Sequence, residues 1–167
     1  KGLWGTACQA SVIAIRSQVM ALSAQTWLFI IFGILGVFGE VFFTAGATFL
    51  KKRSLRLQGF SFIWMFPIYG LLAFLFEPIA NAVAGYSWLL RGLVYMVGIY
   101  IIEYITGALL KKITGGHIWQ YTGKYNLQGH IQLVHAPVWL LMGLLVERYY
   151  DHLVFLSIWL TRPLGAE

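Results

Sequence analysis

GFSFIWMFPIYGLLAFLFE (residues 59–77) and GHIQLVHAPVWLLMGLLVE (residues 129–147) are two versions of one stretch, 70 residues apart. Gly59, Pro67 and Glu77 recur as Gly129, Pro137 and Glu147, and apolar filler joins them in both places. Upstream, Glu40 is echoed by Glu103 at an offset of 63, and Thr44 and Lys51-Lys52 have looser echoes in Thr106 and Lys111-Lys112. The pattern reads as a duplicated unit of two helices joined by a basic loop. It predicts topology and pseudo-symmetry together, and it marks residues to watch.

The composition names the solvent. Of 167 residues, 59% are hydrophobic and only 11% charged, too few to clothe a water-facing surface. Residues 26–50 carry no charge but Glu40, and at about 1.5 Å per residue they cross a hydrocarbon core of about 30 Å. Residues 60–83 form a second span, expected to break late at Glu77-Pro78. Residues 92–110 form a third, and residues 131–147 a short fourth. Residues 1–25 read as an interfacial helix, because Arg16 interrupts a mildly apolar segment. Residues 149–167 read as a surface tail.

The expected fold is therefore an all-α, polytopic transmembrane bundle. Four spanning helices come from two tandem hairpins, residues 26–83 and 92–148, related by a pseudo-two-fold axis along the membrane normal. An interfacial N-terminal segment precedes them. The net charge of +6 comes from basic residues lying mostly between apolar runs, which suits anionic lipid rather than nucleic acid. Those loops are expected on the cytoplasmic side, with both termini opposite. The single cysteine, Cys8, closes no intrachain disulfide. No signal-peptide pattern stands at the head of this sequence.

The carboxylates carry the functional question. Glu40 lies eleven residues before Lys51, or about 16 Å, and Glu103 eight before Lys111, or about 12 Å. Both fall near mid-membrane, where a carboxylate costs about 2.5–3.5 kcal/mol and should face the bundle interior. Gly33, Gly36, Glu40, Thr44 and Ala47 share one stripe of the first helix, and Gly92, Glu103, Thr106 and Gly107 form a poorer one on the third. Glu77 and Glu147 fall toward the outer face, where they can snorkel or pair with Arg91 and Arg148. The polar cavity thus expected is open to two explanations: binding of a cation, proton or headgroup, or a protonated Glu acting as interhelical glue.

The long loop 113–129, ITGGHIWQYTGKYNLQG, reads either as a binding segment or as an aromatic anchor through Trp119, Tyr121 and Tyr125. Asn126 is expected to cap the turn at Gly129 or to line a cavity. His117, His130 and His135 cluster, but His130 and His135 are five apart, off one-face spacing, and no H-E-x-x-H or cysteine cluster accompanies them. No metal and no cofactor are expected. The lack of G-x-x-x-x-G-K-[ST] excludes a P-loop ATPase within this sequence.

Gly36-x-x-x-Glu40, Gly59-x7-Pro67-Ile68-Tyr69-Gly70, Glu103-x-x-Thr106, Trp119-x-Tyr121 and Asn126-x-x-Gly129-x-Ile131 occur in that order. Together they resemble the bacterial CmpB-like, type IV ABC-transporter family and the eukaryotic transmembrane protein 229 group, over about residues 30–148. The resemblance implies a multi-pass protein, with a bacterial inner membrane favoured. It places the family's polar signature on Glu40, Tyr69, Glu77, Glu103, Trp119, Tyr121 and Asn126. Relatives often carry an acid at the position of Gln120 and Arg at that of His130, so an acid–base pair across the loop is absent here.

Three functions are expected, in this order. The first is a transport or lipid- and cation-binding component using buried Glu. The candidate cavity residues are Glu40, Thr44, Tyr69, Glu77, Glu103, Thr106, Trp119, Tyr121, Asn126, His130 and Glu147. The second is a non-catalytic subunit of a larger membrane complex. The third, a small lipid-modifying enzyme, needs a histidine within hydrogen-bond reach of a carboxylate. Expected partners are membrane lipids and either a membrane protein or a second copy of the chain.

Overall fold

The computed structural model describes residues 3–53 and 55–162, with side chains from residue 18 onward. Five helices carry the fold: α1 (Leu3–Lys52), α2 (Met65–Gly70), α3 (Leu72–Val83), α4 (Trp88–Thr114) and α5 (Ala136–Leu160). Strands β1 (Asn126–Leu127) and β2 (Ile131–Gln132) pair antiparallel in the last loop, and a 3-10 turn, Leu133–His135, leads into α5. Three stretches are long and apolar enough to cross a membrane: Gln18–Lys52, Met65–Val83 and Trp88–Thr114. The chain is a membrane protein of mostly helical architecture. Helix α5 is long enough to span, but Glu147, Arg148 and Asp151 at its middle set it apart from those three.

The helix ends have local causes. Lys51-Lys52 and Lys111-Lys112 occupy the last turns of α1 and α4, where cations suit the negative end of the helix dipole. Gly115 then takes φ 78° and returns its N–H to Lys111 O, a left-handed cap that favours glycine. At the other end of α4, Ser87 Oγ accepts the Leu90 N–H at 3.5 Å.

Three boundaries differ from the sequence expectation. No break marks residue 25, because α1 is continuous helix from Leu3 to Lys52; the side chains of residues 3–17, Arg16 among them, lie outside the described residues. The second span bends at Leu71, not at Glu77-Pro78. Leu71 N–H is shared between Pro67 O and Ile68 O, a local tightening, while Pro78 sits inside α3 without ending it. Residues 149–160 form no separate surface tail. Nothing after Glu147 breaks the helix before Thr161, so α5 runs on and buries Tyr150 and Ser157. Residues 163–167 of that expected tail lie outside the described residues.

The described core lies toward the end of the bundle away from the lysines. Leu28 and Phe32 of α1 meet Ala73, Phe76 and Val83 of α3, Tyr95 of α4 and Tyr150 of α5. Aromatic rings dominate it: Phe76 lies 5.2 Å from Tyr95 and 5.0 Å from Tyr150, and Phe32 stacks on Tyr150 at 6.2 Å. Helix α1 packs on α2, α3 and α5, and α4 packs on α5. Small residues permit this closeness. A Cβ on Gly36 would fall 2.1 Å from Tyr69 Cγ, and one on Gly143 would fall 2.3 Å from Tyr95 Cβ. Ala47, expected on the same stripe as Gly36, is exposed.

Candidate functional site

Both loops that follow the lysines fold back toward the middle of their preceding helices. After α1, Thr44 Oγ1 accepts the Phe60 N–H at 2.9 Å, and a Cβ on Gly59 would lie 2.0 Å from Val41 O. The chain is thereby pinned against α1, and the next residue, Ser61, donates to Glu40 Oε2 at 2.7 Å. Tyr69 Oη approaches the same oxygen at 3.5 Å from α2. Glu40 lies twelve residues before the end of α1, about 18 Å along the axis, so non-helical backbone reaches well below the helix end.

The second loop does the same with a small hairpin. Gln128 and Gly129 take φ of 51° and 77°, the positive pair that a type I′ turn requires. His130 N–H closes the turn on Leu127 O, and Asn126 Oδ1 accepts the Gly129 N–H at 2.9 Å. Asn126 thus caps the turn, one of its two expected roles. Tyr100 Oη donates to Gln132 O and Leu133 O, and Tyr104 Oη to Gln128 Oε1, fastening the hairpin to α4. Trp119 Nε1 donates to His130 O at 3.0 Å, and both side chains crowd Gly107. Tyr121 then reaches inward, and its hydroxyl donates to Glu103 Oε1 at 2.7 Å. Burial and the Glu103 carboxylate raise the Tyr121 hydroxyl above the ordinary phenol range, which keeps it a donor.

The two carboxylates belong to one neighbourhood. Tyr69 reaches Glu40 and Tyr121 reaches Glu103, and the His135 ring packs on both Tyr121 and Phe43, three residues along α1 from Glu40. Trp139 of α5 stands beside Glu103, and His135 lies between Tyr121 and Trp139, with ring centroids 5.3 and 6.2 Å away. Glu103 Oε2, Trp139 Nε1 and His135 Nδ1 are buried without a hydrogen-bond partner. Such atoms are uncommon in folded proteins and gather where function or strain needs them.

The remaining expected residues fall elsewhere. Thr106 Oγ1 bonds back to Ile102 O and Glu103 O of its own helix and, among the described residues, to nothing across the site; its neighbour Gly107 meets the hairpin side, where Tyr100 and Tyr104 also bind. Thr44, Trp119, Asn126 and His130 shape the loops rather than touch the carboxylates. Glu77 and Glu147 lie away from the pair. Glu147 forms an ion pair with Arg91 at 2.9 Å, and Glu77 accepts from Tyr150 at 3.5 Å.

His130 is only 4% exposed, with its ring 4.9 Å from that of His117 and edge-on to Tyr104. Burial first, then His117 and Lys111, hold it below the ordinary imidazole value, so it is neutral near pH 7. Among the described residues no histidine hydrogen-bonds a carboxylate, and no group of three or more His, Cys, Asp or Glu is arranged for a metal. Ser61 and Trp139 were not singled out from sequence, and His135 was read only as one of three clustered histidines. Trp139 carried a signal, since it sits 70 residues after Tyr69, and the partners of the two glutamates should correspond. Ser61 carried none.

No solved structure matches this chain. A family model does, over residues 27–163, which takes in both carboxylates, both inward loops and all of α2 to α5. The chain belongs to the family described as "Putative ABC-transporter type IV".

Proposed function

We propose that the protein is a membrane transport component in which Glu40 and Glu103 jointly hold a small cation, a proton or alkali ion, within a four-span bundle. The carrying observation is the convergence of two carboxylates from separate helices, each met by a hydroxyl from a loop folded into the bundle. Glue alone would call for closed hydrogen bonds, whereas Glu103 Oε2 and Trp139 Nε1 lie side by side, buried, without forming a hydrogen bond of normal geometry.

Helix α5 is the fourth span in this reading, with the Glu147 charge offset by Arg91 of α4. The two hairpins are internal repeats, and three contacts support that. Phe29 packs on Gly70, and at offsets of 63 and 70 Gly92 packs on Leu140, with large and small exchanged. Thr44 meets Phe60 as Gly107 meets His130. Glu40 meets Tyr69 as Glu103 meets Trp139. The lysine-bearing ends face the cytoplasm by their charge.

The test is flux. Liposomes containing the purified protein and an entrapped pH dye should respond to an imposed proton or potassium gradient. Glu40→Gln and Glu103→Gln should each slow that response at least about tenfold, equivalent to 1.4 kcal/mol, while remaining monodisperse. Wild-type protein that conducts neither ion, or variants that conduct as well as it does, would refute the proposal. A second reading, a non-catalytic subunit working with a separate ATPase, draws on the family description together with the missing P-loop motif. Stoichiometric co-purification of an ATPase with the native protein would favour it.

A further inference from the structure

A cavity of about 290 Å³ opens at the other end of the bundle from the Glu40–Glu103 pair, between α1, α3 and α5. Its apolar wall includes Met20, Leu28, Val154 and Ile158; its polar wall is Gln25, Glu77, Tyr150, Ser157 and Thr161. Where each polar group has sent its hydrogen decides what the cavity can bind. Ser157 Oγ donates to Val154 O at 2.7 Å, and Thr161 Oγ1 to Ile158 O at 2.6 Å. Tyr150 Oη donates to Glu77 Oε2 at 3.5 Å, and Gln25 directs an amide N–H to Ala73 O. Every hydroxyl on this wall has spent its proton on the protein, so what remains toward the cavity is chiefly oxygen lone pairs and one carboxylate.

Glu77 is also the least committed of the four glutamates in the helices. Glu40 is met by Ser61, Glu103 by Tyr121 at 2.7 Å, and Glu147 by Arg91 at 2.9 Å. Among the described residues Glu77 has one long contact to a neutral phenol, and it is exposed. A set of acceptors around an anion calls for a cation that also donates. A primary ammonium carries three N–H donors and one charge, while a quaternary ammonium donates none. A hard divalent metal would want more than a single carboxylate. The volume is near the lower limit for ligand pockets, about 300 Å³, which suits a small headgroup with a short length of chain.

We infer that this cavity binds a primary ammonium group carried on an apolar body, with Glu77 as counter-ion and Gln25, Ser157 and Thr161 as further acceptors. In a membrane the obvious source is an ethanolamine-type phospholipid; a free alkylamine offers the same chemistry. The site is independent of the proposed Glu40–Glu103 function.

Native mass spectrometry of the protein from mixed ethanolamine and choline phospholipid micelles tests the proposal, with dodecylamine as a second ligand. Wild-type protein should retain the ethanolamine lipid at least tenfold over the choline lipid. Glu77→Gln should remove that preference, and Val154→Trp, which fills the cavity but keeps the acid, should lower retention too. If lipid shows no preference but dodecylamine raises the melting temperature of wild type and not of Glu77→Gln, the source is a free amine and the site stands. Equal retention of both lipids with no Glu77-dependent response to dodecylamine would overturn it. Both variants must melt cooperatively, and if Glu77→Gln does not, Val154→Trp with dodecylamine decides alone.

Discussion

Gly59 and Gly129 hold the same place in the two repeated stretches, yet each is needed for a different reason. At Gly59 the obstacle is space, because a Cβ would strike the Val41 carbonyl oxygen at 2.0 Å. At Gly129 it is conformation, with φ at 77°. Gly39, on the same helix as Glu40, has open space around its would-be Cβ. Gly59→Ala should therefore destabilise the protein by about 1–3 kcal/mol, as overpacking does, whereas Gly39→Ala should stabilise it by about 0.5–1 kcal/mol through helix propensity. Thermal melts of the purified variants in detergent read both signs.

His130 makes a second prediction at this scale. Its folded value lies below the ordinary 6.5, so the unfolded chain takes up the proton first as pH falls. The buried neutral ring thus costs nothing above about pH 6.5, and stability drops as pH falls below it, by roughly 1.4 kcal/mol for each unit between the two values. His135 is shifted the same way by burial and adds to the slope. Melting temperatures from pH 7.5 to 5 should show this decline, and His130→Gln should flatten it. A decline of the same size in that variant would exclude His130 as its source.

Among the elements, the long apolar helices were the most legible. Runs of uncharged residues ending in Lys51-Lys52 and Lys111-Lys112 give the C-terminal ends of α1 and α4 because charge and dipole agree there. The hairpin at 126–132 was illegible as strand: two-residue strands have no periodicity to read, and only Asn126 and Gly129 betray the turn. Likewise the joint at Leu71 is marked only by Gly70 inside an otherwise apolar run, and the continuation of α5 to Leu160 was masked by its charged middle. Of the carboxylate site, Glu40, Tyr69, Glu103 and Tyr121 could be read from sequence, His135 only as a member of a histidine cluster, while Ser61 arrives through backbone folding alone. The length of α1 makes its own prediction. From Gln18 to Lys52 it has 35 residues, about 52 Å, more than a hydrocarbon core of about 30 Å can hold. A spin label at Gln18, which is exposed, should be accessible to aqueous nickel, and one at Leu35 to oxygen in lipid. Lipid-like accessibility at both would require α1 to lie steeply tilted.

For the whole molecule, the wide apolar exterior is the surface that a bilayer covers. Phe38, Phe42, Leu50, Ile63, Ile101 and Ile113 are each more than half exposed. Polarity is turned inward to the carboxylates and the two loops that reach them. Glu40 and Glu103, 63 residues apart in sequence, are brought toward each other by those loops, through Tyr121 and the His135 ring that packs on Phe43 of α1. Infrared titration of the carboxyl bands in reconstituted protein tests this most directly, using wild type, Glu40→Gln and Glu103→Gln. The account predicts that removing either carboxylate moves the titration midpoint of the other, as coupled groups must. Midpoints that stay unchanged when the partner is removed would contradict a shared site.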